Sequence, residues 1–228
     1  MLAMMMEVSS SCRGGPLWPL QSMSARTLLE SNHPQTGAAT TGRPYKLTLA
    51  PPNDEPEFAP IVERKLDVYD FTLKTPDGRA FNLREYATGK RLIIVCFVAG
   101  WCPNSNRNGH IVKRLYDKYH EHGLGIVVVS EYSTADELRI HINRIGIDYP
   151  VVVDTNRLGE RKDSLHYKLR RQVQDKRKWG TPFYVLLDAK DIEAGMPKAL
   201  LARHAFTVSG ELIEAEAASF IDQRLASQ

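Results

Sequence analysis

The chain has 228 residues, with 30 Lys and Arg against 27 Asp and Glu, and the resulting +3 is too small to imply a polyanionic partner. Its 43% hydrophobic and 25% charged residues are ordinary for a globular domain, and three cysteines cannot build a disulfide-stapled scaffold. No apolar run approaches the ~18 residues that a membrane span needs.

The first 60 residues carry eight of the 13 prolines and only scattered apolar side chains. Such a segment buries too little apolar surface to offset its ordering entropy, so residues 1–60 read as a disordered extension and 61–228 as the folded domain. The opening methionines end at Glu7 with no basic residue before it, and Cys12 follows three serines rather than an apolar stretch. No export signal is read there, and on that basis a cytoplasmic location is expected.

Phe71–Leu73 and Ala80–Leu83 flank Thr75-Pro76-Asp77-Gly78, which predicts a short antiparallel hairpin. Leu92 to Val98 is an unbroken apolar run, as in a strand covered on both faces. Residues 103–122 carry Ile111, Leu115 and Tyr119 at helical spacing, with Gly123 as the stop. Gly125–Ser130 is a second buried strand. A helix follows, with Ser133 or Thr134 as its cap, Leu138, Ile142 and Ile145 on one side, and Gly146 as its end. Val151–Val153 is a short strand, and Arg157–Arg170 a polar helical stretch. Strands at Phe183–Leu187 and Leu200–Val208 flank a loop over Ala189–Lys198. Glu211–Ala226 reads as a closing helix with Leu212, Ile213, Phe220 and Leu225 towards the core. Strand-helix alternation followed by an antiparallel pair predicts an α/β fold, a mixed sheet flanked by helices.

Chemistry concentrates in Phe97-Val98-Ala99-Gly100-Trp101-Cys102-Pro103-Asn104-Ser105. Cys102 falls between a buried strand and a helix. Unpaired N–H groups and the positive end of the helix dipole favour a thiolate there. Pro103 suits the first helical turn, where its missing N–H costs nothing, and Trp101 offers an apolar wall beside the sulfur. Placement alone also allows Cys102 to be a small residue at a tight turn.

This string resembles the active-site segment of thioredoxin-like proteins, in particular the TlpA/ResA branch of the redoxin (AhpC/TSA) superfamily. The preceding hairpin, the GIVVVS and VVVD strands and Trp179-Gly180-Thr181-Pro182-Phe183 match that family's order over residues 65–225. The resemblance implies a thioredoxin-like fold, thiol-disulfide oxidoreductase activity and no cofactor. It implies a cis-proline at Pro182 beside the redox-active Cys102, with Thr181 pairing to an extended substrate. It also leaves an extracytoplasmic location open.

Ser105 departs from the pattern, standing where the family has its resolving cysteine. Without a second thiol, Cys102 forms a mixed disulfide and waits for another thiol. Ser105, one turn along, is expected to donate a hydrogen bond to the Cys102 thiolate. Cys96, in mid-strand, reads as an inert core residue, and Cys12 as a remote alternative resolver. Two rivals stand beside monothiol exchange. One is a redox-inactive binding module. The other is a weak thiol peroxidase, although the peroxiredoxin Thr and Pro positions hold Ala99 and Val95. Cys102 with His110 or His204 offers too few ligands for a metal site. Lys168–Lys178 carries six Lys and Arg against Asp175. It reads as a solvated face, or as a recruiting surface for an anionic thiol such as glutathione or an acidic protein partner. The expected partners are therefore a disulfide-bearing protein or a low-molecular-weight thiol, with no nucleic acid.

Overall fold

In the computed structural model, residues 55–192 and 199–226 are described. The chain divides into Met1–Leu47 and Thr48–Gln228, and every described residue lies in the second unit. Cys12, the extension as far as residue 54, and positions 193–198 of the expected loop lie outside the described residues. Glu57 to Ala59 already join the domain: Ala59 N–H donates to the Glu211 carbonyl at 3.0 Å and Glu211 N–H to the Glu57 carbonyl at 2.7 Å.

Eight strands form one mixed sheet. They are β1 (Val62–Tyr69), β2 (Thr72–Lys74), β3 (Ala80–Asn82), β4 (Leu92–Val98), β5 (Leu124–Ser130), β6 (Val151–Val153), β7 (Phe183–Asp188) and β8 (Leu200–Val208), in spatial order β1-β8-β7-β4-β5-β6-β2-β3. β4, β5 and β6 run parallel, whereas β7 is antiparallel to β4 and β8 to β7. The β2–β3 hairpin forms where expected and pairs through Lys74 with Val153.

Helices cover both faces of β4, which explains why all seven of its residues are buried. Successive side chains of a strand point to opposite faces. Leu92, Ile94, Cys96 and Val98 meet Val112, Leu115 and Tyr119 of α2 (Pro103–Tyr119), Leu138 of α3 (Ala135–Ile145) and Ile221 of α5 (Glu214–Ala226). Ile93, Val95 and Phe97 meet Leu83 and Ala87 of α1 (Leu83–Ala87) and Leu169 of α4 (Leu165–Gln172). Each such buried side chain contributes about 1.5–3 kcal/mol. With both sides of β4 packed, the loop leaving its C-terminal end stands on a fixed base.

The helix ends follow local chemistry. Thr134 caps α3 in a reciprocal box with Glu137, and Gly146 ends it in the left-handed conformation. Asn82 caps α1 by accepting from Glu85 N–H. Two expectations change at the C-terminus: α5 starts at Glu214 rather than Glu211, and Ile213 is 41% exposed instead of facing the core. Glu211 and Leu212 are held in extended form by pairing with the 57–59 segment and with Asn108, so the helix cannot begin earlier. Among the described residues no helix is long and apolar enough to cross a membrane.

Candidate active site

Cys102 is the N-cap residue of α2, with extended φ and ψ of −78° and 122°, and Pro103 occupies the first helical turn. The loop before it is tight. Cys102 N–H donates to the Ala99 carbonyl at 2.9 Å, and the Cys102 carbonyl accepts the helical bond from Asn106 N–H at 3.0 Å. Gly100 must be glycine for packing, because a Cβ there would lie 2.6 Å from the Glu137 carbonyl oxygen in the first turn of α3. Its N–H donates to Ser133 Oγ at 2.8 Å, so Ser133 supports the loop while Thr134 does the capping.

The Thr181–Pro182 peptide bond is cis, and the Cys102 thiol donates to the Thr181 carbonyl at 3.4 Å. Cys102, Pro103, Trp101, Thr181 and Pro182 are thereby brought together from segments 79 residues apart in sequence. Cys102 retains 8% of its surface, against 1% for Cys96. Burial alone pushes the Cys96 thiol well above its ordinary range, which keeps it protonated inside the sheet.

Ser105 does not take its expected role. Its hydroxyl is 1% exposed and accepts from Ala99 N–H at 3.4 Å, so it braces the loop beneath Cys102 instead of donating to the sulfur. The turn itself sets this contact: Ala99 closes back over the first turn of α2, and its N–H meets the Ser105 oxygen. Ala99 and Val95, the positions compared with a peroxidase, are a buried loop residue and a buried strand residue.

Several supporting residues have no signature in the sequence. Asn106 donates through Nδ2 to the carbonyls of Gly100 (2.9 Å) and Cys102 (3.0 Å), and its Oδ1 accepts from His141 Nδ1 at 2.9 Å. Burial, with the nearby Arg144 charge, lowers His141 to about 4, so its ring is neutral. On the other side Trp101 Nε1 donates to the Tyr132 carbonyl at 3.0 Å, and its ring meets Trp179 edge-on at 5.8 Å. The Tyr132 hydroxyl lies 3.1 Å from His166 Nδ1, and His166 Nε2 donates to the Gly180 carbonyl at 3.2 Å. Burial and the Arg170 charge lower His166 to about 3, leaving it neutral with one donor and one acceptor nitrogen. Trp101, Tyr132, His166, Gly180, Thr181 and Cys102 thus form a closed circuit of contacts around the sulfur.

The basic stretch has been split by folding. Arg170 and Arg177 turn inward on one carboxylate: Arg170 Nε and Arg177 Nη2 reach Asp175 Oδ2 at 2.9 and 2.7 Å. Burial opposes charge on Asp175, but hydrogen bonds from Arg177 and Arg170 overcome it and bring the carboxyl down to about 2. The remaining donors hold the proline loop. Arg170 Nη1 donates to the Trp179 carbonyl at 2.9 Å, and Arg177 donates to the Gly180 and Pro182 carbonyls at 3.1–3.2 Å. Gly180, at φ +68°, lies flat on the Arg170 guanidinium, where a Cβ would overlap it. The solvated-face reading therefore fails for these two arginines and holds for the exposed Lys168.

His110 and His204 are exposed on α2 and β8, and the described residues hold no group of three metal-ligating side chains.

Comparisons with known proteins bear on the fold and on what the chain resembles. The AhpC/TSA family model matches residues 66–172. ResA, a thiol-disulfide oxidoreductase of Halalkalibacterium halodurans, is 28% identical over 85 residues, 37% of this chain and 47% of its own. A Citrus sinensis protein assigned as a phospholipid hydroperoxide glutathione peroxidase is 42% identical over 65 residues, 28% of this chain and 38% of its own. The chain thus spans less than half the length of these curated relatives. Among solved structures, the thioredoxin domain of a Bacteroides vulgatus thiol-disulfide oxidoreductase superposes with a TM-score of 0.50 at 14% identity, covering 71% of this chain and 96% of that one. A C-terminal domain from Bacteroides thetaiotaomicron, assigned to the same enzyme class, gives 0.52 at 17% identity, covering 72% and 96%. At these identities the likeness to solved structures is one of fold.

Proposed function

We propose that this domain, which has a thioredoxin-like fold and is similar to the AhpC/TSA family and to ResA, is a redoxin of the TlpA/ResA type and a thiol-disulfide oxidoreductase acting through Cys102 alone. The observation that carries this reading is the Cys102 sulfur at the N-cap of α2, 3.4 Å from the carbonyl that precedes cis Pro182, with a serine one turn along.

In the first step the Cys102 thiolate attacks one sulfur of a partner disulfide. A Cys102–partner S–S bond forms, the partner S–S bond breaks, and the other partner sulfur leaves as a thiolate. A Ser105 hydroxyl cannot resolve that bond. The second step therefore needs an external thiolate, such as glutathione, which attacks the partner sulfur and returns Cys102 as a thiolate. The net change is exchange of one thiolate for another on the partner disulfide, with no net electron gain by the protein. A disulfide-bearing protein is the natural substrate of such a site. An extended segment would lie along Thr181 and Pro182, walled by Trp101.

The test is trapping. With no resolving thiol, the wild-type protein should hold disulfide partners as mixed disulfides at Cys102, and added glutathione should release them. Absence of any Cys102 adduct on the folded protein would leave a redox-inactive binding module. Hydrogen peroxide consuming the Cys102 thiol far faster than free cysteine would instead mark a peroxidase.

A further inference from the structure

Beside the proline loop, at the end of α4, lies a cleft of about 460 Å³. Its walls carry six cationic side chains and one carboxylate, a local +5 in a chain whose net charge is +3. The rest of the chain therefore sums to −2, so the positive charge is gathered here. Asp175 is already shared by Arg170 and Arg177. Among the described residues no carboxylate pairs with the other four cations, Arg161, Arg171, Lys176 and Lys178. Arg161 and Lys178 lie over the Trp179 ring at 5.5 and 5.4 Å, and Arg161 Nη1 donates to the Lys178 carbonyl at 2.6 Å, which fixes the guanidinium at the rim.

Like charges gathered in a concavity repel, and an anion entering it gains more from them than on an open surface. Guanidinium forks match carboxylates and phosphates, and the volume suits a small molecule. Arg161 and Lys178 stand over Trp179, Arg171 and Lys176 line the same cleft, and four cations without a carboxylate are more than one acidic group can match. We propose that this cleft binds a small organic anion with two separated acidic groups. Its position suggests the use: the Trp179 ring that carries Arg161 and Lys178 meets Trp101, the neighbour of Cys102. An external thiol with two carboxylates, held there by its acidic groups, is delivered next to the mixed disulfide it must resolve. Only that identification of the ligand rests on the exchange reading; the anion site does not.

The test uses the full chain and S-methylglutathione, which keeps both carboxylates and cannot react, with inorganic phosphate as a second probe. Calorimetric titration should show saturable binding that raised salt weakens. Arg171→Glu and Lys176→Glu, both on exposed side chains, should each weaken it by about tenfold or more. Lys65→Glu, the same charge change on β1, should keep wild-type affinity. No saturable binding of either probe, or equal weakening by all three variants, would overturn the site. Phosphate binding as tightly as S-methylglutathione would overturn the two-group ligand and leave a simple anion site. Cys102→Ser should bind as wild type does. Anion binding without any Cys102 adduct would sink the exchange reading and spare the cleft, whereas adducts with neutral thiols but no anion binding would do the reverse.

Discussion

Two cysteines six residues apart show how little a thiol's identity decides. Cys96 sits in the middle of β4, 1% exposed between α2 and the sheet, with its thiol pushed up by burial. Cys102 sits just past the end of the same strand, 8% exposed, where the chain turns into a helix and meets the carbonyl before cis Pro182. The strand that hides one thiol presents the other. What separates them is the loop and the circuit of side chains that hold it.

The largest effect that sharpens this contrast is expected from exchanging the cysteines one at a time. Cys102→Ser should abolish mixed-disulfide formation. Cys96→Ala should leave it intact and cost about 1–2 kcal/mol in denaturant unfolding, since only core packing is lost. Exchange surviving in Cys102→Ser and lost in Cys96→Ala would break the comparison. Next is the clamp behind the proline. Arg170→Leu leaves Asp175 with Arg177 as its one cation and frees the Trp179 carbonyl. Loss of a hydrogen bond to a charged group is worth about 1.5–3 kcal/mol, and alkylation of Cys102 should change while Cys96 stays protected until global unfolding.

A gain of function follows from Ser105. One helical turn from Cys102, Ser105→Cys places a second sulfur within the Cα span of a disulfide. That variant should reduce insulin stoichiometrically without external thiol, and the wild type should not. The cost is the hydroxyl bond to Ala99 N–H, about 1 kcal/mol in unfolding free energy.

At neutral pH the smallest effect on exchange is that of His166, whose signature is a slope of stability against pH. His166 is about 3 in the folded protein against an ordinary 6.5, because burial disfavours its charged form. Between those values the unfolded chain binds a proton that the folded one does not. Its stabilisation is present above pH 6.5 and is lost as pH falls towards 3, by up to ~1.4 kcal/mol per pH unit. His166→Phe should flatten unfolding free energy against pH in that window. An unchanged slope would remove His166 from the circuit as described.

Much of this was legible in residues alone, and the reasons differ by element. β4, β5, α2 and α3 announce themselves because buried runs and capped periodic helices carry strong patterns. β1 does not: Glu63-Arg64-Lys65 gives it three consecutive charges, and only pairing with β8 at the sheet edge makes Val62–Tyr69 a strand. α1 is five residues long, too short for periodicity to register. At the site, Cys102, Trp101 and Pro182 stood out through a local string and a distant proline. Ser105 is legible as a serine in place of a second thiol, but helical spacing cannot say that its hydroxyl meets Ala99 N–H inside the turn rather than the Cys102 sulfur. Asn106, His141 and His166 are single polar residues without spacing, and burial alone reveals them. Which arginines of Lys168–Lys178 turn inward was equally invisible, since Asp175 chooses them in three dimensions.

The central claim is exchange through one sulfur, and one measurement meets it directly. The folded full chain, with Cys12→Ser to silence the N-terminal thiol, is incubated with oxidised glutathione, and its peptides are mapped by mass. A single glutathione on Cys102, none on Cys96, and release by reduced glutathione is the predicted result. An unmodified Cys102 in folded protein, or an adduct that appears only when the chain unfolds, would contradict it.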